Sequence, residues 1–161
     1  MYSRKPLRLW GFDYASEGLY FVTVCTHEKR CSLGRVGGDE VILSTLGEIV
    51  ERQLIKLPER LEAVAVDTYV VMPNHVHTIV GLSPRARQAS PLRLGHVVAA
   101  FKSGSAREIN RAHATSDAAV WQRGYHDHII RDDRDLERVR EYIETNPIQW
   151  ALDPENPSRL P

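Results

Sequence analysis

The stretch Val70-Val71-Met72-Pro73-Asn74-His75-Val76-His77-Thr78-Ile79-Val80 decides how the chain folds. β-branched residues dominate both of its arms and Pro73-Asn74 supplies the turn between them, so it predicts a hairpin whose second arm starts at His75. Alternate side chains of an extended strand share a face. His75 and His77 therefore point the same way, two residue rises or roughly 6.6 Å apart. Val76 faces the opposite side, as a strand with one face in a core requires. Two imidazoles at that spacing can hold one metal ion. An edge strand carrying two solvated histidines has the same spacing, and the pair alone does not separate the two readings.

Outward from the hairpin, Ala63 to Met72 forms its first arm, with Val64, Val66, Thr68, Val70 and Val71. Leu19-Tyr20-Phe21-Val22-Thr23-Val24-Cys25-Thr26 is another strand, a central one because both of its faces are largely apolar. Leu33 to Asp39 is Gly-rich and predicts a turn. Thr45-x-x-Glu48 has the form of a capping box, and Leu46, Ile49, Val50, Leu54 and Leu57 recur at helical spacing until Pro58.

Downstream, Ser83 to Arg93 holds two prolines and three arginines and predicts a surface loop. Leu94, Val97, Val98, Phe101 and Ile109 mark a second helix whose other side carries Lys102, Arg107 and Arg111. Val120 to Ile130 predicts the last strand, bent or bulged at Gly124. The acidic run Asp132-Asp133-x-Asp135 opens a final helix that ends near Asn146, because Pro147 disfavours helical geometry in the residue before it. Its apolar stripe is Leu136, Val139 and Ile143, with Tyr142 and Asn146 one turn apart at the stripe's edge. Residues 147–161 are too proline-rich for regular structure, and 1–18 form an arm. The order strand, helix, strand, strand, helix, strand predicts an α+β ferredoxin-like sandwich. Its four- to five-stranded antiparallel sheet carries two helices on one face, with a C-terminal tyrosine-bearing helix added.

The 161 residues are 42% apolar and 26% charged, with 21 basic and 21 acidic side chains. That balance excludes a protein that coats nucleic acid indiscriminately. Cys25 and Cys31 are too few for a disulfide framework. No stretch has the length and apolarity of a membrane span, and the expected setting is the cytoplasm.

Two strand imidazoles and the Asn146 amide oxygen would form an incomplete, open ligand set, the kind a catalytic ion needs, although a helix C-terminal residue before proline also accounts for Asn146. Nitrogen ligands suit manganese, and oxygen ligands admit magnesium. A phenol with an ordinary pKa of about 10 is a poor nucleophile at neutral pH, but beside a cation it can attack phosphorus.

Met72-Pro73-Asn74-His75-Val76-His77, Trp121-Gln122-Arg123-Gly124-Tyr125-His126-Asp127-His128-Ile129-Ile130-Arg131 and Val139-Arg140-Glu141-Tyr142-Ile143-Glu144-Thr145-Asn146-Pro147 resemble the three signature blocks of single-tyrosine HUH transposases of the IS200-like kind. They are most similar to the REP-associated tyrosine transposase branch. Phe21 to His27 also resembles that branch's first strand, so the likeness runs from about residue 19 to residue 150. It implies one transposase-like domain over residues 1–161 that nicks and rejoins single-stranded DNA, often at the foot of a hairpin. Tyr142 would be the nucleophile, forming a 5′-phosphotyrosine link. His75, His77 and Asn146 would bind Mg2+ or Mn2+, and the chain would act as a monomer or homodimer. A hairpin-binding protein that no longer transposes is the alternative. DNA contacts are expected from local basic elements: the arm with Arg4, Lys5 and Arg8, the loop with Arg85 and Arg87, and the helix face with Lys102 and Arg107. Tyr125 is a second candidate nucleophile without a ligand at helical spacing. His128 lies in a signature block without a derived role.

Overall fold

Strand pairing follows the apolar phase of the sequence. The computed structural model describes residues 18–83 and 94–159, so the expected arm and most of the Arg85 and Arg87 loop lie outside the described residues. In chain order the elements are β1 (Gly18–Cys25), β2 (Gly34–Gly37), β3 (Glu40–Leu43), α1 (Thr45–Ile55), α2 (Leu57–Arg60), β4 (Val64–Val71), β5 (His75–Leu82), α3 (Leu94–Ala112), β6 (His126–Ile130) and α4 (Asp133–Thr145). Two 3-10 turns follow, Trp150–Leu152 and Pro157–Arg159. The main sheet has the order β4-β5-β1-β6 with every neighbouring pair antiparallel, the ferredoxin-like arrangement. β5 is therefore central, which removes the edge-strand reading of the histidines.

Each face of the sheet has its own core. Val22 and Val24 of β1 and Val76 and Val80 of β5 pack with α1, α2 and α3. Leu19, Phe21 and Ile79, one position out of phase, pack with Leu136, Val139 and Ile143 of α4 on the other face. Burying each of these aliphatic side chains contributes about 1.5–3 kcal/mol, enough to hold α4 down along its stripe.

Several local expectations shift. Leu33 to Asp39 is part of a small hairpin, β2 with β3, closed by Gly38-Asp39; Gly38 takes φ +67, which an L side chain resists. The N-cap of α1 is Ser44, not Thr45, and its Oγ accepts from Gly47 N at 3.2 Å. The helix ends at Ile55, and Pro58 sits in the first turn of α2 rather than marking the stop, because a first-turn N–H has no helical partner to lose. The last strand is only His126–Ile130, with Trp121 making an isolated bridge to Thr26.

β4 is not one uniform strand either. Its register against β5 slips between Val66 and Tyr69, a bulge that changes the phase of the side chains. Asp67, at the bulge, forms a two-pronged ion pair with Arg140 of α4: Nε to Oδ2 and Nη2 to Oδ1, both 2.7 Å. Both residues are buried. Removing one partner of such a pair strands a charge away from water. Asp67→Ala should lower the unfolding free energy by about 3–5 kcal/mol in urea titrations, and a loss under about 1 kcal/mol would show that the pair does not hold the helix.

Candidate active site

His75 and His77 lie at the two odd positions that open β5, both essentially inaccessible to solvent. Their Nε2 atoms face each other at 3.0 Å. Behind them, His75 Nδ1 is 2.9 Å from Asn74 Oδ1, an acceptor only, so Nδ1 carries the hydrogen. Thr23 Oγ1, opposite His77 across the β1–β5 pairing, lies 2.8 Å from His77 Nδ1. With both Nδ1 atoms engaged, the Nε2 lone pairs are the ones left to bind a ligand. Burial lowers the pKa of both rings; Asp153 and Glu155 oppose this at His75, while a charge on His75 lowers His77 further. The pair is neutral at neutral pH.

Two oxygens complete the cluster. Asn146 caps the end of α4 and is buried, and its Oδ1 has no hydrogen-bond partner among the described residues. Asp153 Oδ2 is likewise without one, 3.8 Å from His75 Nε2, while Oδ1 accepts from Glu155 N at 2.7 Å. Ligand atoms of His75, His77 and Asp153 lie within 4.8 Å of one another. Two buried acceptors without donors would each cost about 1–3 kcal/mol, a cost that a cation removes. Neighbouring ligands of an octahedral ion at about 2.1 Å stand about 3 Å apart, which is the Nε2 separation. The residues fit a divalent ion.

Asp153 was not expected in the site. It arrives because the proline-rich tail, expected to be irregular, folds back in an ordered way. Asn74 Nδ2 donates to Glu155 O at 2.7 Å and to Lys29 O at 3.2 Å, and Lys29 pairs with the Glu155 carboxylate at 3.1 Å. The Trp150 ring covers His75 at a centroid distance of 6.0 Å. The nearest signal in the sequence is an acidic residue after the tyrosine helix, which carries no spacing rule.

The Tyr142 ring lies 5.4 Å from the His77 ring and meets Phe21 edge-on at 5.9 Å. It is 39% exposed, while the cluster residues beside it are buried. Burial and the Asp153 and Glu155 carboxylates raise its pKa, and the Asn146 side chain works the other way. Tyr125 packs against the α1–α3 core instead, on the sheet face opposite the cluster. His128 Nε2 pairs with Asp135 Oδ2 at 2.9 Å; Arg138 and this histidine hold the Asp135 carboxyl down to about 2, so His128 ties β6 to the first turn of α4.

Of the residues expected to contact DNA, Arg4, Lys5, Arg8, Arg85 and Arg87 lie outside the described residues. Arg107 is exposed on α3. Lys102 is engaged within the protein, its Nζ donating to Gln122 O at 2.6 Å and Gly124 O at 2.9 Å.

The histidine strand and the tyrosine helix meet on one face of a ferredoxin-like sheet, and comparison with known proteins puts the chain in a class of DNA-processing enzyme. The family model described as "Transposase IS200 like" matches residues 21–146, so the chain belongs to the IS200-like transposases, proteins of DNA transposition and recombination. A Haemophilus influenzae Rd protein named only as uncharacterized is 32% identical over 169 residues, covering 95% of this chain and 93% of its own. A second from that organism, provisionally named a REP-associated tyrosine transposase, is 22% identical over 143 residues, covering 85% and 74%. A solved REP-associated tyrosine transposase bound to a REP hairpin superposes with a TM-score of 0.62 at 20% identity, over 91% of this chain and 76% of the other. A Deinococcus radiodurans R1 crystal structure, provisionally called a transposase, gives 0.55 at 18% identity over 85% and 95%. Among the described residues no helix is long and apolar enough to cross a membrane.

Because burial lowers the two imidazole pKa values, the folded chain binds protons there less readily than the unfolded chain does. Metal-free stability should be fully present above the unfolded value of about 6.5 and fall as pH drops below it, by up to about 1.4 kcal/mol per pH unit for each ring. Denaturant midpoints in EDTA at pH 7.5 and 5.5 measure this. The double variant His75→Asn, His77→Asn should flatten the slope, and an unaltered slope would place the titration elsewhere.

Proposed function

We propose that the protein nicks and rejoins single-stranded DNA at hairpin-forming repeats through a 5′-phosphotyrosine intermediate on Tyr142, using Mg2+ or Mn2+ held by His75, His77, Asn146 and Asp153. The observation that carries this reading is the Tyr142 ring 5.4 Å from His77, whose Nε2 is 3.0 Å from that of His75. The solved relative bound to a REP hairpin supports DNA hairpins as the substrate class. An intact phenol beside the cluster favours cleavage over a binding role alone, since binding needs no nucleophile.

The chain's own residues would work as follows. Asn74 fixes the tautomer of His75, Thr23 holds the His77 ring through Nδ1, and α4 presents Tyr142 and Asn146 one turn apart on the same side. A bound divalent ion would withdraw charge from a phosphate oxygen and favour the phenolate. Tyr142 Oη attacks phosphorus, the bond from phosphorus to the 3′-oxygen breaks, and the phenol proton ends on that oxygen as a free 3′-hydroxyl. The phosphodiester count is unchanged, so rejoining needs no nucleotide cofactor. Attack by a 3′-hydroxyl on the phosphotyrosine reverses the step and returns the proton to Tyr142. Burial and the Asp153 and Glu155 carboxylates make the phenol less acidic, so the reaction would depend on the cation that the cluster can hold.

Wild-type protein mixed with hairpin DNA bearing single-stranded tails and manganese should give a denaturation-resistant adduct on Tyr142. Tyr142→Phe keeps the ring and its contacts with Phe21 and His77, and should cut cleavage by about 10³-fold or more while retaining DNA binding. Cleavage at the wild-type rate in that variant, or an adduct on another residue, would remove Tyr142 from the mechanism. In calorimetry the double variant His75→Ala, His77→Ala should no longer bind manganese, with its fold retained by circular dichroism; unchanged affinity would move the metal site.

A further inference from the structure

β1 and the chain leading into β6 pair on both sides of a gap. Gln122 N donates to Cys25 O at 2.9 Å and His27 N to Val120 O at 2.8 Å, and pairing resumes with Thr23 opposite His126. Arg123, Gly124 and Tyr125 together oppose Val24 alone, so they stand out from the sheet as a short turn. The turn is built rather than loose. Gly124 takes φ +72, and Lys102 of α3 binds the carbonyls of Gln122 and Gly124, on either side of Arg123. The Trp121 indole N–H donates to the buried Ser105 Oγ at 3.0 Å, and Tyr125 packs on the α1–α3 core.

What this turn presents has no use inside the protein. Arg123 is exposed and has no ion pair or hydrogen bond among the described residues. His126 is exposed as well, and directly paired residues of antiparallel strands share a face. Thr23 lies opposite both His77 and His126, so these three form a row across β5, β1 and β6 on the face that carries Tyr142. Two strand spacings, about 10 Å, separate the backbones of His77 and His126. A chain of zero formal charge needs its phosphate contacts to be local, and Arg123 and His126, three residues apart, offer a cation and a ring donor that have no partner among the described residues.

We propose that the turn from Trp121 to His126 is a phosphate-binding finger for the DNA strand next to the cleaved linkage, with Arg123 and His126 as its contacts and Lys102, whose bonds bracket Arg123, as the clamp that positions Arg123. The inference rests on the nicking reaction proposed above. An Arg guanidinium presents paired donors to a phosphate, and the imidazole N–H adds a neighbouring donor on the side of the nucleophile. Lys102 acts through the turn, not on DNA.

The test uses the full chain, manganese, and a fluorescent hairpin oligonucleotide with single-stranded tails of mixed sequence. Arg123→Gln and His126→Gln should each weaken binding about tenfold, with turnover at saturating DNA within about threefold of wild type. Arg123→Gln should also lower the salt slope by about 0.7, the value for one phosphate on a single strand. Lys102→Met should weaken binding to the extent of Arg123→Gln, and the double variant no further, because both remove one contact. Manganese affinity without DNA should stay at the wild-type value in all of them. Wild-type affinity and salt slope in Arg123→Gln and His126→Gln would overturn the finger, and additive losses in the double variant would overturn the clamp. A wild-type protein that neither binds the oligonucleotide nor forms an adduct would instead overturn the nicking reaction itself, and the finger with it.

Discussion

Two imidazoles buried Nε2 to Nε2, with an amide oxygen and a carboxylate oxygen left over beside them, are the constraint around which this chain is arranged. Polar groups taken out of water must find partners, and here the partners are divided between back and front. Asn74 and Thr23 engage the rear ring nitrogens, while in front the ligand atoms of His75, His77 and Asp153 lie within 4.8 Å of one another. That division needs β5 in the middle of the sheet, β1 beside it to supply Thr23, a helix across one face to supply Asn146, and a tail folded back to supply Asp153. The opposite face of the same strand carries Val76 and Val80 into an apolar core, so one strand serves a dry core and a polar cluster through its two-residue period.

Helix α4 is held at three places along its length. Asp132 caps its start, with Asp135 tied to His128. Arg140 reaches the Asp67 bulge in the middle, and Asn146 enters the buried cluster at the end. The apolar stripe supplies most of the adhesion, but an aliphatic stripe tolerates small rotations and slides. A two-pronged ion pair does not, because its oxygens and nitrogens have to meet at set angles. The pair lies two residues from Tyr142, so the bulge in β4 has a consequence for the position of the phenol.

Net charge is a poor guide to what such a protein touches. Zero formal charge spread evenly would give little attraction for nucleic acid, yet family membership makes the chain a transposase. Local geometry resolves the tension. Several acidic side chains are engaged in capping α4, in ion pairs with Arg52, Arg30 and Lys29, and in the ligand cluster. Lys102, which helical spacing places on a basic face, is turned inward to the carbonyls of a bend. A lysine counted from sequence is a charge, and only its neighbours decide whether that charge faces solvent.

The sequence by itself determined the sheet and the helices that cover it, because a two-residue period in strands and a 3.6-residue period in helices are local properties of the apolar pattern. It also singled out His75, His77, Tyr142 and Asn146, since each pair sits within one element where spacing alone sets which side chains share a side. Tertiary structure decided the rest. The small β2–β3 hairpin, the slip in β4 and the shortened β6 depend on what packs against them, and four- or five-residue strands carry too little periodicity to declare themselves. Asp153 enters the cluster only because Asn74 and Lys29, about eighty and more residues away, hold the tail down. Long-range closure leaves no spacing in the sequence, so no reading of one element could have found that carboxylate.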